Sequence, residues 1–187
     1  MTRSLRVTEL PIAGVQRVHR TLHADSRGAF SRLFCADELR HAGWSWSIAQ
    51  INHSLTRGQG SVRGLHYQKQ PHVEAKLVSC VRGEVWDVAV DLRKGSSTFL
   101  RWHAERLRAE DGAALLIPPG CAHGFQVLSG EAELVYCHSA AYAPQAEGGL
   151  HVEDARLNIS WPLAVQGLSP RDAGFGRLPV GFEGIEL

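Results

Sequence analysis

Arg63, His66 and Lys76, with Gln68 between them, are the polar side chains that stand out in the stretch Gly60 to Val85. Arg63 and His66 belong to the run Arg-Gly-Leu-His-Tyr67, Lys76 opens Lys-Leu-Val-Ser-Cys-Val81, and a break around Pro71 separates the two. Both runs read as strands, so the polar groups emerge from what is otherwise sheet core. A lone histidine on a strand is more often a satisfied core group than a catalytic one. A cation beside it, in the same apolar setting, points to acid–base chemistry or to local binding of an anion. A second imidazole, His123, closes the run Pro118-Pro-Gly-Cys-Ala-His123.

The elements that must carry these residues are short. Val7 to His19 predicts strand, turn and strand around Pro11 and Gly14; His23 to Gly28 is a loop; Ala29 to Phe34 a strand. Ala36 to Ala42, stopped by Gly43, gives one helical turn or two. Eight brief runs follow: Ser47 to Ser54, Ser61 to Tyr67, Ala75 to Val81, Glu84 to Asp91, Thr98 to Leu107, Ala113 to Ile117, Gly124 to Leu128 and Ala132 to His138. Many short strands without helical periods between them predict an all-β barrel or sandwich. In Trp86 to Asp91 the residues Trp86, Val88 and Val90 face one way and Asp87, Ala89 and Asp91 the other, the pattern of a half-buried strand. Asn158 to Pro162 is expected as a last strand, before an irregular tail from Leu163 to Leu187.

With 187 residues and no internal linker, the chain is expected to form a single domain over residues 1–187. Twenty Lys plus Arg stand against 19 Asp plus Glu, which argues against nucleic acid or a membrane surface as partner, so any anion site must be local. Cys35, Cys80, Cys121 and Cys137 form no close pair and read as reduced thiols, three of them in apolar runs. No apolar stretch has signal-peptide or membrane-spanning length, and a cytoplasmic protein is expected.

Two patches resemble the paired motifs of the cupin superfamily, a double-sheet jelly roll. The first motif's slots for His, His, Glu and Gly hold His66, Gln68, Lys76 and Gly83, and Pro118 to His123 fits the second, Pro-x-Gly-x-x-His. An amide and an ammonium in two ligand slots disfavour a cation, so no metal and no other cofactor is expected.

Further pieces follow in order: Asp25-Ser-Arg-Gly28, Gln50-Ile-Asn-His-Ser54, Asp87-Val-Ala-Val-Asp-Leu-Arg93, Ile117 to Phe125, Tyr136, Tyr142-Ala-Pro, Glu147-Gly and Ile159-Ser-Trp-Pro162. Together they resemble the dTDP-4-dehydrorhamnose 3,5-epimerase family over roughly residues 12 to 172. The resemblance implies an all-β cupin jelly-roll barrel with a short helix and an irregular C-terminal tail. It also implies an isomerase that inverts C3 and/or C5 of a nucleoside-diphosphate 4-keto-6-deoxy sugar through an enolate. In that scheme His66 is the base, Asp172 its partner carboxylate, Lys76 the cation for the enolate oxygen and Tyr136 the acid on the opposite face. Arg27, Gln50, Asn52, Arg63, His123, Glu147 and Arg171 are implied as substrate contacts, with Tyr142 stacking on the base. Taken alone, Tyr136 fits a core tyrosine, Asp172 a solvated one and Tyr142 a turn residue. His72 is loop, and the seven remaining histidines are surface or structural. The family's homodimer exchanges N-terminal strands, which would carry Arg27 to the neighbour's pocket.

The chain departs from the pattern at Arg32, where the family usually has Glu, at Arg171 for a common Lys, and at Ala141 for a common aromatic. Arg32 is therefore expected near the nucleotide, with a base or sugar other than the family's. The alternatives are a 3-only or 5-only epimerase, a 3,4-ketoisomerase on a non-dTDP sugar nucleotide, a non-catalytic binder or a metal-dependent cupin.

Overall fold

The computed structural model describes residues 4–187. Thirteen strands and two one-turn helices follow in order: β1 (Leu5–Glu9), β2 (Gln16–Arg20), β3 (His23–Asp25), β4 (Gly28–Phe30), α1 (Ala36–Leu39), β5 (Gln50–Arg57), β6 (Val62–Gln68), β7 (Lys76–Arg82), β8 (Glu84–Asp91), β9 (Trp102–Arg108), β10 (Ala113–Ile117), β11 (Cys121–Val127), β12 (Glu131–His138), β13 (Glu147–Gly149) and α2 (Pro170–Ala173). A six-stranded sheet runs β1-β2-β10-β7-β12-β5 and faces a five-stranded sheet running β13-β6-β11-β8-β9; β3 and β4 form a separate hairpin. This is the expected double-sheet jelly roll, and no helix among the described residues is long and apolar enough to cross a membrane.

The near-continuous apolar runs are explained by burial on both faces of each sheet. In β10, Ala113, Leu115 and Ile117 join the core between the sheets, whereas Ala114 and Leu116 meet Leu39, Ala42 and Trp44 outside. Full burial of one such leucine stabilises the fold by about 1.5–3 kcal/mol. The outer face of the second sheet is closed by the C-terminal segment, where Leu150, Val152, Leu157 and Leu178 cover Leu65, Val88 and Val90. Strand β8 is thus buried on both faces, not half-buried: its alternation is as predicted, but Asp87 and Asp91 are both fully enclosed.

Other expectations are corrected. His23 to Gly28 is not all loop, since His23–Asp25 pairs with Gly28–Phe30, and the strand expected over Ala29 to Phe34 stops at Phe30. Its continuation leaves the hairpin as Arg32 turns to the Glu38 carboxylate of α1. Thr98 to Arg101 turns, with Leu100 at φ +59, so β9 begins only at Trp102. Asn158 to Pro162 is no strand: Asn158 sits at φ +46, Pro162 has no N–H, and the Trp161 indole donates to the Val152 carbonyl (2.8 Å), making the segment a packed strap. The 36–42 region is helical as read, ending at Gly43 with φ +87.

Candidate active site

A cavity of about 830 Å³ opens between the two sheets. The five-stranded sheet contributes Arg63 and His66 from β6 and His123 and Phe125 from β11; the six-stranded sheet contributes Lys76, Tyr136, His138, Gln50, Asn52 and Ser54. The second set forms rows across the sheet, because Lys76, His138 and Gln50 are register partners in turn and Tyr136 lies beside Asn52. Tyr142, Glu147 and Arg171 complete the mouth.

Arg63 and His66 are three residues apart, a spacing that a regular strand sends to opposite faces. A bulge resolves this. His66 pairs with His123 and Arg63 with Phe125, so Gly64 and Leu65 together oppose Gly124 alone. Gly64 has φ +135, and a Cβ there would lie 2.6 Å from the Gly124 Cα, so the Arg-Gly-Leu-His sequence needs glycine at this position.

His66 Nε2 donates to Asp172 Oδ1 at 2.9 Å, which leaves Nδ1 as the ring's proton acceptor. Asp172 stands behind the cavity wall on α2, whose N-cap Ser169 accepts from the Asp172 N–H (3.0 Å), and its second oxygen accepts from the Gly64 N–H (3.3 Å). Burial pushes the Asp172 carboxyl up, but the hydrogen bond and charge of His66 and the Gly64 N–H outweigh it, holding it below the usual carboxylate range. Phe175 packs edge-on against the imidazole (5.6 Å between ring centres). The Arg171 guanidinium also comes within 3.1 Å of Nε2; since it can only donate, its bonds to the Glu147 carboxylate (3.0 and 3.3 Å) are what hold it.

His123 Nε2 bonds Asp87 Oδ1 at 2.8 Å, and burial pushes that carboxyl above its ordinary range against the pull of His123 and Lys76. Across the cavity the Tyr136 hydroxyl meets Ser54 Oγ (3.1 Å). Burial raises the phenol well above its ordinary range, so it is a protonated, weakly acidic donor. Lys76 Nζ bonds the His66 carbonyl (3.3 Å) and pairs with Glu74 Oε1 (3.2 Å). Arg63 is aimed by Thr56 Oγ1 (2.8 Å). Gln50 donates to Asn52 (3.1 Å) and accepts from the Tyr142 N–H (2.9 Å), and the Tyr142 hydroxyl donates to Glu147 (3.2 Å).

The structure therefore gathers His66, Lys76, Tyr136, Gln50, Asn52, Arg63, His123, Tyr142, Glu147 and Arg171 around one cavity, with Asp172 in support. Arg27 and Arg32 are not brought there. Arg27 pairs with Asp25 on the exposed β3–β4 hairpin, and Arg32 pairs with Glu38, so the charge reversal at Arg32 acts on the chain's own helix α1 and not on its pocket. Gln68 is consumed structurally: its amide donates to the carbonyls of His72 (3.0 Å) and Ala141 (3.2 Å) and accepts from the Ala143 N–H (2.6 Å). Sequence reasoning missed Glu74, Asp87 and Ser54 as site residues and set His138 aside as surface or structural. A carboxylate on the inward face of apolar β8 was a readable signal for Asp87. No local signal marks Glu74 and His138, which meet 64 residues apart.

The sequence profile of dTDP-4-dehydrorhamnose 3,5-epimerase matches residues 9–179. The chain is 46% identical over 149 residues to the dTDP-4-dehydrorhamnose 3,5-epimerase of Shigella flexneri, covering 79% of this chain and 82% of that one. It is 41% identical over 169 residues to the dTDP-4-dehydrorhamnose 3-epimerase of Streptomyces niveus, covering 90% and 81%. The crystal structure of dTDP-6-deoxy-D-glucose-3,5-epimerase from Legionella pneumophila Philadelphia 1, in complex with dTDP-4-keto-L-rhamnose, superposes with a TM-score of 0.89 at 36% identity, covering 97% of this chain and 98% of that one. A β jelly roll closed around this cavity, together with a match of sequence and structure over nearly the whole chain, makes the protein an isomerase of the dTDP-4-dehydrorhamnose 3,5-epimerase family.

Proposed function

We propose that this epimerase inverts C3 and C5 of a dTDP-4-keto-6-deoxy sugar, with His66 as base and Tyr136 as the opposing acid. The observation that carries the reading is His66 on one sheet, backed by Asp172 of α2, facing the Tyr136 phenol on the other sheet across one cavity that also holds Lys76. The hydrogens at C3 and C5 are α to the C4 carbonyl. His66 Nδ1 takes one of them, and the imidazolium is stabilised by Asp172 through Nε2–H. The electron pair moves onto the C4 oxygen, where the Lys76 ammonium offsets the developing charge. The double bond then re-forms its ketone as Tyr136 delivers a proton to the same carbon from the other face. Inversion needs both groups, because a single base on one face only exchanges hydrogen.

Arg63, His123, Gln50 and Asn52 suit the sugar and diphosphate, and Tyr142, beside the Glu147–Arg171 pair at the mouth, suits a base stacked on its ring. The names of the relatives support dTDP as the nucleotide, and Arg32, turned away from the pocket, supplies no argument for another base. The exposed hairpin, with Phe30 72% exposed and Arg27 projecting, supports a homodimer in which the hairpin completes a neighbour's pocket. Buried thiols, with Cys80 and Cys121 pushed up to about 12, support a reducing compartment such as the cytoplasm.

Incubating the protein with dTDP-4-keto-6-deoxyglucose in heavy water and following C3 and C5 by NMR tests the reading and shows which carbons invert. His66→Ala should abolish exchange at both carbons. Near-normal turnover by that variant overturns the scheme.

A further inference from the structure

We propose that His138 is a positioning residue for this reaction: by holding one oxygen of Glu74, it limits how far that carboxylate offsets the Lys76 charge facing the enolate. Glu74 lies two residues before Lys76, the first residue of β7, on the loop from Pro71, and its side chain is only 8% exposed. One carboxylate oxygen lies 3.2 Å from Lys76 Nζ, and the other accepts from His138 Nδ1 at 2.8 Å. Lys76 and His138 are direct cross-strand partners, so the three groups form one cluster in the cavity wall. Burial pushes the Glu74 carboxyl up, but His138 and Lys76 outweigh it and keep it ionised.

A carboxylate this close to an ammonium would cancel the charge that an enolate needs. The two oxygens of Glu74 are divided between His138 Nδ1 and Lys76 Nζ, so the His138 bond holds part of the carboxylate away from the ammonium. The groups facing His138 are Glu74, Lys76, the Tyr136 ring stacked on it at 6.0 Å, Gln50 as register partner, and the Asn52 amide 3.5 Å from Nε2. Glu74 and Lys76 are the charged members, so the His138 bond governs how fully the carboxylate offsets the ammonium presented to substrate.

The inference rests on Lys76 acting at the enolate oxygen. It is tested by a double-mutant cycle on the full chain, measuring kcat, KM and thermal unfolding for His138→Gln, Glu74→Gln and the double variant. His138→Gln should lower kcat by about tenfold to a hundredfold, the scale of one uncompensated charge near the reacting oxygen, with KM moving far less. Glu74→Gln removes the competing charge, so the double variant should recover most of that loss. A double variant no faster than His138→Gln, or a His138→Gln kcat equal to wild type, overturns the assignment. Should His138→Gln fail to fold, Glu74→Gln decides alone: its kcat rises under this assignment, and a kcat that is unchanged or lower overturns it. His66→Ala in the same assay separates the two levels. If it is inactive while the cycle is additive, only the role of His138 fails; if it retains turnover, the acid–base scheme fails first.

Discussion

Asp172 and His66 lie 106 residues apart in the chain, yet their side chains meet at 2.9 Å, and the same carboxylate holds the Gly64 N–H in the bulge that aims His66. One residue on a single helical turn thus fixes the tautomer of the base and the backbone that presents it. Asp172→Asn offers an amide that can donate to the imidazole and so stabilise the wrong tautomer. It should lower kcat on the order of a hundredfold to ten-thousandfold, with KM little changed, in steady-state assays of the dTDP-4-keto sugar.

Tyr136→Phe removes the proton donor and its bond to Ser54 but keeps the ring. Deuterium should still enter from the His66 face while inversion slows sharply. Comparing deuterium content with product configuration by NMR separates the two events, and equal loss of both would contradict the two-face assignment.

Gly64→Ala would place a Cβ 2.6 Å from the Gly124 backbone at a φ of +135. Thermal unfolding should show destabilisation of about 1–3 kcal/mol, and activity should fall out of proportion because Arg63 and His66 lose their common orientation.

The pH dependence of stability should carry the mark of Asp91. Burial pushes its carboxyl up, but Arg93, Ser96 and Thr98 outweigh this and hold it at about 2, from an ordinary value of 3.8. Because the folded value is depressed, the stabilisation is complete above the unfolded value and is lost as pH falls from 3.8 toward about 2. It amounts to about 2 kcal/mol. Asp91→Asn should lower the unfolding midpoint at neutral pH, and the gap to wild type should close below about pH 4 in acid titrations.

Arg32→Glu restores the family's usual charge but sets two carboxylates side by side at α1, where Arg32 now pairs with Glu38. The relative kcat/KM for dTDP and UDP sugars should stay within about twofold of wild type, while stability falls by roughly 1 kcal/mol or less. A switch in nucleotide preference would return Arg32 to the binding site.

Much of this protein is set by local pattern. Short β-branched runs, the stop at Gly43 and the alternation in Trp86 to Asp91 are local consequences of side-chain period and turn chemistry, and they predicted an all-β barrel or sandwich; the double-sheet jelly roll was implied by the cupin resemblance. The order of motifs through His66, Lys76, His123 and Tyr136 carried the family resemblance, and that resemblance implied the reaction class. Local pattern failed where backbone strain or distant partners decide. Nothing in Asn158 to Pro162 shows that an indole will pin it as a strap, and nothing around Arg32 shows that Glu38 will claim it. Only the tertiary structure put Arg63 and His66 on one face, by a bulge that period-two reasoning cannot see, and only it joined Glu74 to His138 and Asp172 to His66. Charge pairing of this kind depends on distance in space, and a sequence specifies that distance only once the two sheets have closed.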